Sequence, residues 1–176
     1  MTKIRMTVFA LVLALLPLAS VHGQAVQQSF GFNAARISGF PSGAAFLTGG
    51  GAYNLERAFL KTGGGFRCLE NINQGPLNGC LAGEGIRWDA KDGVTQLLES
   101  FTFKCTGAAS EARKTVETDD NTVVMFADFY RQGDGIDESF TARMFVSKTD
   151  EAPDLPGIQN VWIQGVGCGD AIANFN

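Results

Sequence analysis

Histidine is almost absent from this chain. The single one, His22, falls inside an apolar N-terminal segment with the character of an export leader. Once that leader is removed, the protein has no imidazole-based nucleophilic triad, no His-ligated zinc or copper and no histidine pH switch. Clustered positive charge is missing as well: 14 Lys and Arg stand against 18 Asp and Glu, a net charge of −4, with no basic run anywhere. That balance argues against nucleic acid and anionic membrane surfaces as partners. No Cys-x-x-Cys occurs, which removes the usual redox-active dithiol. Proline is sparse, and no Asn-x-Ser/Thr acceptor marks a glycosylated context.

The leader has the expected three parts. Lys3 and Arg5 supply the positive start, residues 6–18 are apolar apart from Thr7 and Pro17, and Val21-His22-Gly23 places small or tolerated residues where a signal peptidase cleaves, before Gln24. Residues 1–23 are therefore expected to be a signal peptide, and residues 24–176 a single secreted β domain, extracellular or periplasmic. The apolar segment is short of the roughly 20 residues that a spanning helix needs. No second such run follows, so no membrane span is expected in the mature chain. The leader carries two bases and no acid, which leaves the exported part more acidic than the whole. Solubility is the simple consequence of that charge.

What is present is glycine, 22 residues of it, among short apolar runs of period two. That pattern predicts an all-β domain. Residues 29–34 alternate through Phe30, Phe32 and Ala34, and residues 100–105 through Phe101, Phe103 and Cys105. Residues 122–130 are apolar on both faces, which predicts a central or covered strand. Alternation returns over residues 139–148 and 160–166, and a last short strand is expected over 171–175. Residues 149–157, with two prolines and three acids, predict a loop. One helical stretch of a turn or two is expected over 108–116, where Ser110 offers an N-cap and Glu111 a first-turn carboxylate.

A weak repeat runs through the first half: Phe46-Leu47-Thr48 precedes Gly49-Gly50-Gly51, and Phe59-Leu60-Lys61-Thr62 precedes Gly63-Gly64-Gly65. A phosphate-binding loop would need a following helix N-terminus and usually a Lys-Ser/Thr pair, and neither is present. The triplets are expected to form tight turns or bulges.

Four cysteines remain for the exported domain: Cys68, Cys80, Cys105 and Cys168. Their number is even and the compartment oxidising, so disulfides are expected. Three pairings are open, of which proximity favours Cys68 with Cys80 and Cys105 with Cys168. By the chain-entropy argument the short loop contributes about 3 kcal/mol and the long one about 4 kcal/mol. A four-thiolate zinc site would bring its ligands in pairs about two to four residues apart. No such pair exists here.

The sharpest chemical feature is acidic. Asp128 near the end of one strand, then Asp134, Asp137 and Glu138 in the connection to the next, concentrate four carboxylates at one hairpin end. Carboxylates with glycine-freed carbonyls suit a hard cation, so this set is the candidate calcium site, although the spacing is not that of an EF-hand. The competing expectation is a solvated Asp-Gly turn. The same acids also allow a histidine-free alternative, since paired carboxylates hydrolyse glycosides when they face each other across a cleft. Asp89, Asp128 and Glu138 are the candidates for it, with Trp88, Trp162 and Tyr130 as sugar-stacking platforms. Against this, both tryptophans also suit a buried core.

Residues 29–33, the Thr48-Gly49-Gly50-Gly51 segment and the stretch from Asp128-Phe129-Tyr130 to Ser139-Phe140 together resemble small glycine-rich β-sandwich modules found beside anchor-type domains in secreted bacterial proteins. The chain departs from that pattern in carrying its glycine triplet after the aromatic strand and in having four cysteines. The resemblance implies an exported β module and carries no catalytic residue with it. The expected fold is thus an antiparallel β-sandwich, with a closed or partly closed β-barrel as the alternative. The expected function is a structural or interaction module for a protein or glycan partner, without catalytic residues or a cofactor unless calcium binds. The alternative is a carbohydrate-binding or carbohydrate-acting domain. Exposed tryptophans beside a cleft would favour sugar, buried ones the interaction module, and an open apolar barrel interior small-ligand carriage.

Overall fold

In a computed structural model, described for residues 26–40, 43–90, 97–131 and 139–176, the chain forms ten β-strands. They are β1 (Gln28–Gly39), β2 (Ala44–Asn54), β3 (Phe59–Glu70), β4 (Arg87–Ala90), β5 (Ser100–Phe103), β6 (Lys114–Glu117), β7 (Thr122–Tyr130), β8 (Ser139–Ser147), β9 (Val161–Ile163) and β10 (Gly167–Phe175). Eight of them close into a barrel in the order β1-β10-β9-β8-β7-β4-β3-β2. Every neighbouring pair is antiparallel. Two four-strand meanders are joined by β4 on β7 and by β1 on β10, and the β5–β6 hairpin stands apart as its own small sheet.

The barrel corrects the expected sandwich. Its deciding contact is between the first and last strands, from Phe30 opposite Phe175 to Gly39 opposite Gly167. That pairing leaves the main sheet without an open edge. Two further expectations are overturned. The stretch 108–116 is not helical, and its last residues enter β6. The glycine triplets are not turns: they lie in β2 and β3 and face each other, Gly49 opposite Gly64 and Gly50 opposite Gly63.

The triplets are there because of what they accommodate. Trp88 points inward from β4, opposite Gly64, and a Cβ on Gly49 would meet its ring at 2.6 Å. The side chain missing at Gly49 thus makes room for the largest one, between Phe32 and Phe129, whose rings lie 6.0 and 6.4 Å from that of Trp88, while the bare Gly64 lets β3 approach the β2 backbone at Thr48 and Gly49. This is the small-against-large filling that a narrow barrel needs. Met125, Ala127, Met144 and Val146 complete the packed interior.

Both mouths are covered. At one, the loop after β3 carries Ile72, Leu77 and Cys80 into the core, tied to β3 by the Cys68–Cys80 disulfide. There Gly75 meets Gly165 so closely that a Cβ would approach the opposing Cα at 2.6 Å. At the other mouth Phe30, Tyr53 and Phe175 pack ring on ring. The Tyr53 hydroxyl donates to the Asp120 carbonyl at 2.9 Å. Burial, with Asp120 and Asp119 nearby, pushes this phenol up to about 12.

A second apolar cluster lies outside the barrel. Phe101, Phe103 and Val116 of the β5–β6 hairpin cover the outward-facing Val124, Phe145 and Trp162, which explains why β7 is apolar on both faces. The Cys105–Cys168 bridge fastens the hairpin to β10. Both disulfides follow the pairing that proximity favoured, and the second lies on the outer wall. Among the described residues no helix is long and apolar enough to cross a membrane.

Candidate functional site

Strand alternation sorts the residues of β4 and β7. Arg87 pairs with Tyr130, Trp88 with Phe129, and Asp89 with Asp128, so the aromatic pair enters the barrel while Arg87, Asp89, Asp128 and Tyr130 line its outer wall. On one side Asp128 is opposite Thr141 of β8. On the other, the same outward row runs onto three glycines: Asp89 faces Gly63, Gly63 faces Gly50, and Gly50 faces Gly31. Two carboxylates therefore stand at the end of a strip of bare backbone that crosses three strands.

The polar groups hold one another in place. The Arg87 guanidinium lies 4.4 Å above the Tyr130 ring centroid, with its Nε 3.9 Å from Asp89. The Tyr130 hydroxyl donates to Asp89 Oδ1 at 3.3 Å, and the Thr141 hydroxyl donates to Asp128 Oδ1 at 2.5 Å. Burial raises the Tyr130 phenol above its ordinary value, and the charges of Asp89 and Asp128 with the hydrogen bond to Asp89 add to the effect, partly offset by Arg87. Tyr130 thus stays a protonated donor. The wall presents a phenol, a guanidinium and the Asp89 carboxylate within one small patch, backed by the buried Asp128, suited to hydrogen-bonding hydroxyls or amides.

The sequence-predicted residues separate into groups. Asp128 and Asp89 come together as cross-strand neighbours beside Tyr130. Asp134, Asp137 and Glu138, the other three members of the candidate calcium set, lie outside the described residues. Among the described residues no group of three or more His, Cys, Asp or Glu is placed to hold a metal ion. Neither tryptophan serves as a stacking platform: Trp88 is 1 % exposed and Trp162 5 %. Each indole N–H is satisfied at 2.9 Å, by the carbonyls of Thr48 and Lys104 respectively. All four cysteines are in disulfides, which rules out the thiolate zinc site. Arg87, Thr141 and the glycine row went unnoticed in the sequence. The triplets were the available signal, hidden because they were assigned to turns.

No family model, curated protein or solved structure matches this chain.

Proposed function

We propose that the protein is an exported interaction module that binds a protein or glycan partner on its outer wall, not in its interior. One observation carries this reading: the interior is filled and both mouths are covered, while the outer wall sets the Arg87–Asp89–Tyr130–Asp128 patch beside the bare row Gly31–Gly50–Gly63. Bare strand backbone lets a partner approach closely, and the patch supplies directional polar contacts at its end. The two disulfides suit an oxidising compartment, and the resemblance to glycine-rich modules of secreted proteins agrees with export. The glycan form of the proposal rests on Tyr130, the aromatic of the patch, because both tryptophans are buried. No residue is given a catalytic role.

The test is amide-shift mapping of the isotope-labelled protein titrated with soluble extracellular material from the producing cells, fractionated into protein and oligosaccharide. Shifts confined to β4, β7, β8 and the Gly31, Gly50 and Gly63 row of β1, β2 and β3, and lost in Tyr130→Ala, are the expected result. Shifts centred on Phe32, Met125 and Met144 would mean an interior ligand and would overturn the proposal.

A further inference from the structure

Toward the plugged mouth, the outer wall carries a groove of about 690 Å³ that the interaction reading does not use. Its origin is a local shortage of side chains. Gly65 on β3 and Gly83 and Gly85 in the following loop leave the floor bare, while Phe46, Leu69 and Ile86 form its apolar walls. The loop is held against β3 by Cys68 N–H donating to the Glu84 carbonyl at 2.7 Å and Gly83 N–H donating to the Cys68 carbonyl at 2.7 Å. Leu69 and Ile86 are 38 % and 57 % exposed, an arrangement that leaves apolar surface in water.

Among the described residues one charge lines this groove. Arg67, opposite Phe46 in the β2–β3 register, is exposed and has no ion pair among the described residues. Among the described residues no carboxylate lines the groove. The two nearest along the chain are engaged elsewhere: Glu70 accepts from Arg36 at 2.6 Å, and Glu84 accepts from the Leu81 N–H at 2.8 Å. In a chain of net charge −4, a guanidinium with no ion pair among the described residues, above an apolar, glycine-floored depression, is a complementary site for a negative group with an apolar body. A guanidinium fork fits a carboxylate or sulfonate through two parallel hydrogen bonds. The volume lies within the roughly 300 to 1,000 Å³ of small-ligand sites.

We propose that this groove binds a small amphipathic anion, its acidic group paired with Arg67 and its apolar body against Phe46, Leu69 and Ile86. The inference stands apart from the outer-wall proposal, since its ligand is a small molecule and its residues are others.

The test titrates the oxidised protein with anilinonaphthalene sulfonate and, in parallel, with its neutral parent phenylnaphthylamine, following probe fluorescence. Saturable single-site binding of the sulfonate is expected, with the neutral probe and the Arg67→Gln variant each about tenfold weaker. Gly65→Leu is expected to abolish binding by filling the floor. A Cβ there meets only Thr48 Cγ2, at 3.2 Å, so the strand can hold it, and a thermal melt checks that it does. Asp128→Asn, on the patch of the outer-wall proposal, should leave probe binding unchanged. Failure of the sulfonate to bind overturns the inference. So does equal affinity for the neutral probe, or undiminished binding by Arg67→Gln, whether or not Gly65→Leu folds.

Discussion

The barrel interior and the hairpin on its outer wall both bury aromatic side chains, but they are held by different means. Inside, position is set by fit: Trp88 occupies the space that Gly49 leaves, and its indole N–H has one acceptor, the Thr48 carbonyl. Outside, Phe145 and Trp162 lie under a single covering hairpin that brings Phe101 and Phe103, and polar or covalent fastenings keep it down. Cys105 is bridged to Cys168. One residue further on, Thr106 donates its N–H to Glu111 at 2.8 Å and its hydroxyl at 2.6 Å, and the Cys105 N–H donates to the same carboxylate at 2.7 Å. A closed wall supports itself by packing on all sides, whereas a two-stranded hairpin is marginal alone and needs a staple.

If that contrast is right, no loss should exceed the one from the interior. Trp88→Ala is expected to cost about 4 kcal/mol, because it opens a cavity no neighbour can fill and orphans a buried carbonyl. Urea unfolding should show it as a lower midpoint with the transition still cooperative. A loss under about 1 kcal/mol would mean that the interior is loosely packed.

Removing the outer bridge, with Cys105→Ser and Cys168→Ser together, is expected to cost about 4 kcal/mol. Its distinguishing sign is local. Hydrogen exchange should quicken in β5 and β6 while the β1–β10 ladder stays protected. Uniform quickening across both would show that the hairpin and barrel unfold as one unit.

The polar fastening gives a pH signature. Burial alone would raise the Glu111 carboxyl, but hydrogen bonds from Thr106, from the Cys105 and Thr106 backbone and from Lys114 outweigh it, lowering the pKa from 4.5 to about 2. A folded value below the unfolded one means stability that is present above pH 4.5 and lost as pH falls toward 2. On the order of 2 to 3 kcal/mol should disappear over that window. In Glu111→Gln the corresponding part of the acid dependence should be absent, which denaturation at stepped pH would reveal.

The smallest effect is expected from calcium. If the connection after β7 is a solvated Asp-Gly turn, the melting temperature is the same in excess Ca²⁺ and in chelator. A higher value in Ca²⁺ would establish the set Asp128, Asp134, Asp137 and Glu138 as a metal site.

Legibility in the sequence followed side-chain pattern. The stretch 122–130 was readable as a covered strand because its apolar residues fall on both faces, and the hairpin over Val124 and Phe145 is the cover. The disulfide pairing was readable because the shortest separation, 12 residues from Cys68 to Cys80, leaves Cys105 with Cys168, as the fold has it. Glycine triplets misled, since residues without side chains show no alternation and resemble turns. Ser110 and Glu111 misled in another way. They have the composition of a helix start, but Glu111 reaches back to cap Cys105 and Thr106. For the candidate site, Asp128, Asp89 and Tyr130 were singled out by chemistry, while Arg87 and Thr141 had nothing to mark them before strand pairing placed them alongside.

Taken alone, the residue order settles where alternation marks a strand, which cysteines are close in sequence and which chemistry is missing, because period-two patterning, loop length and the lack of histidine are properties of the chain itself. Closure into a barrel, the alignment of two glycine triplets beneath one tryptophan and the meeting of Asp89 with Asp128 are different in kind. They depend on register between strands far apart in sequence. Alternation is identical in a sandwich and a barrel, and only the pairing of β1 with β10 distinguishes them.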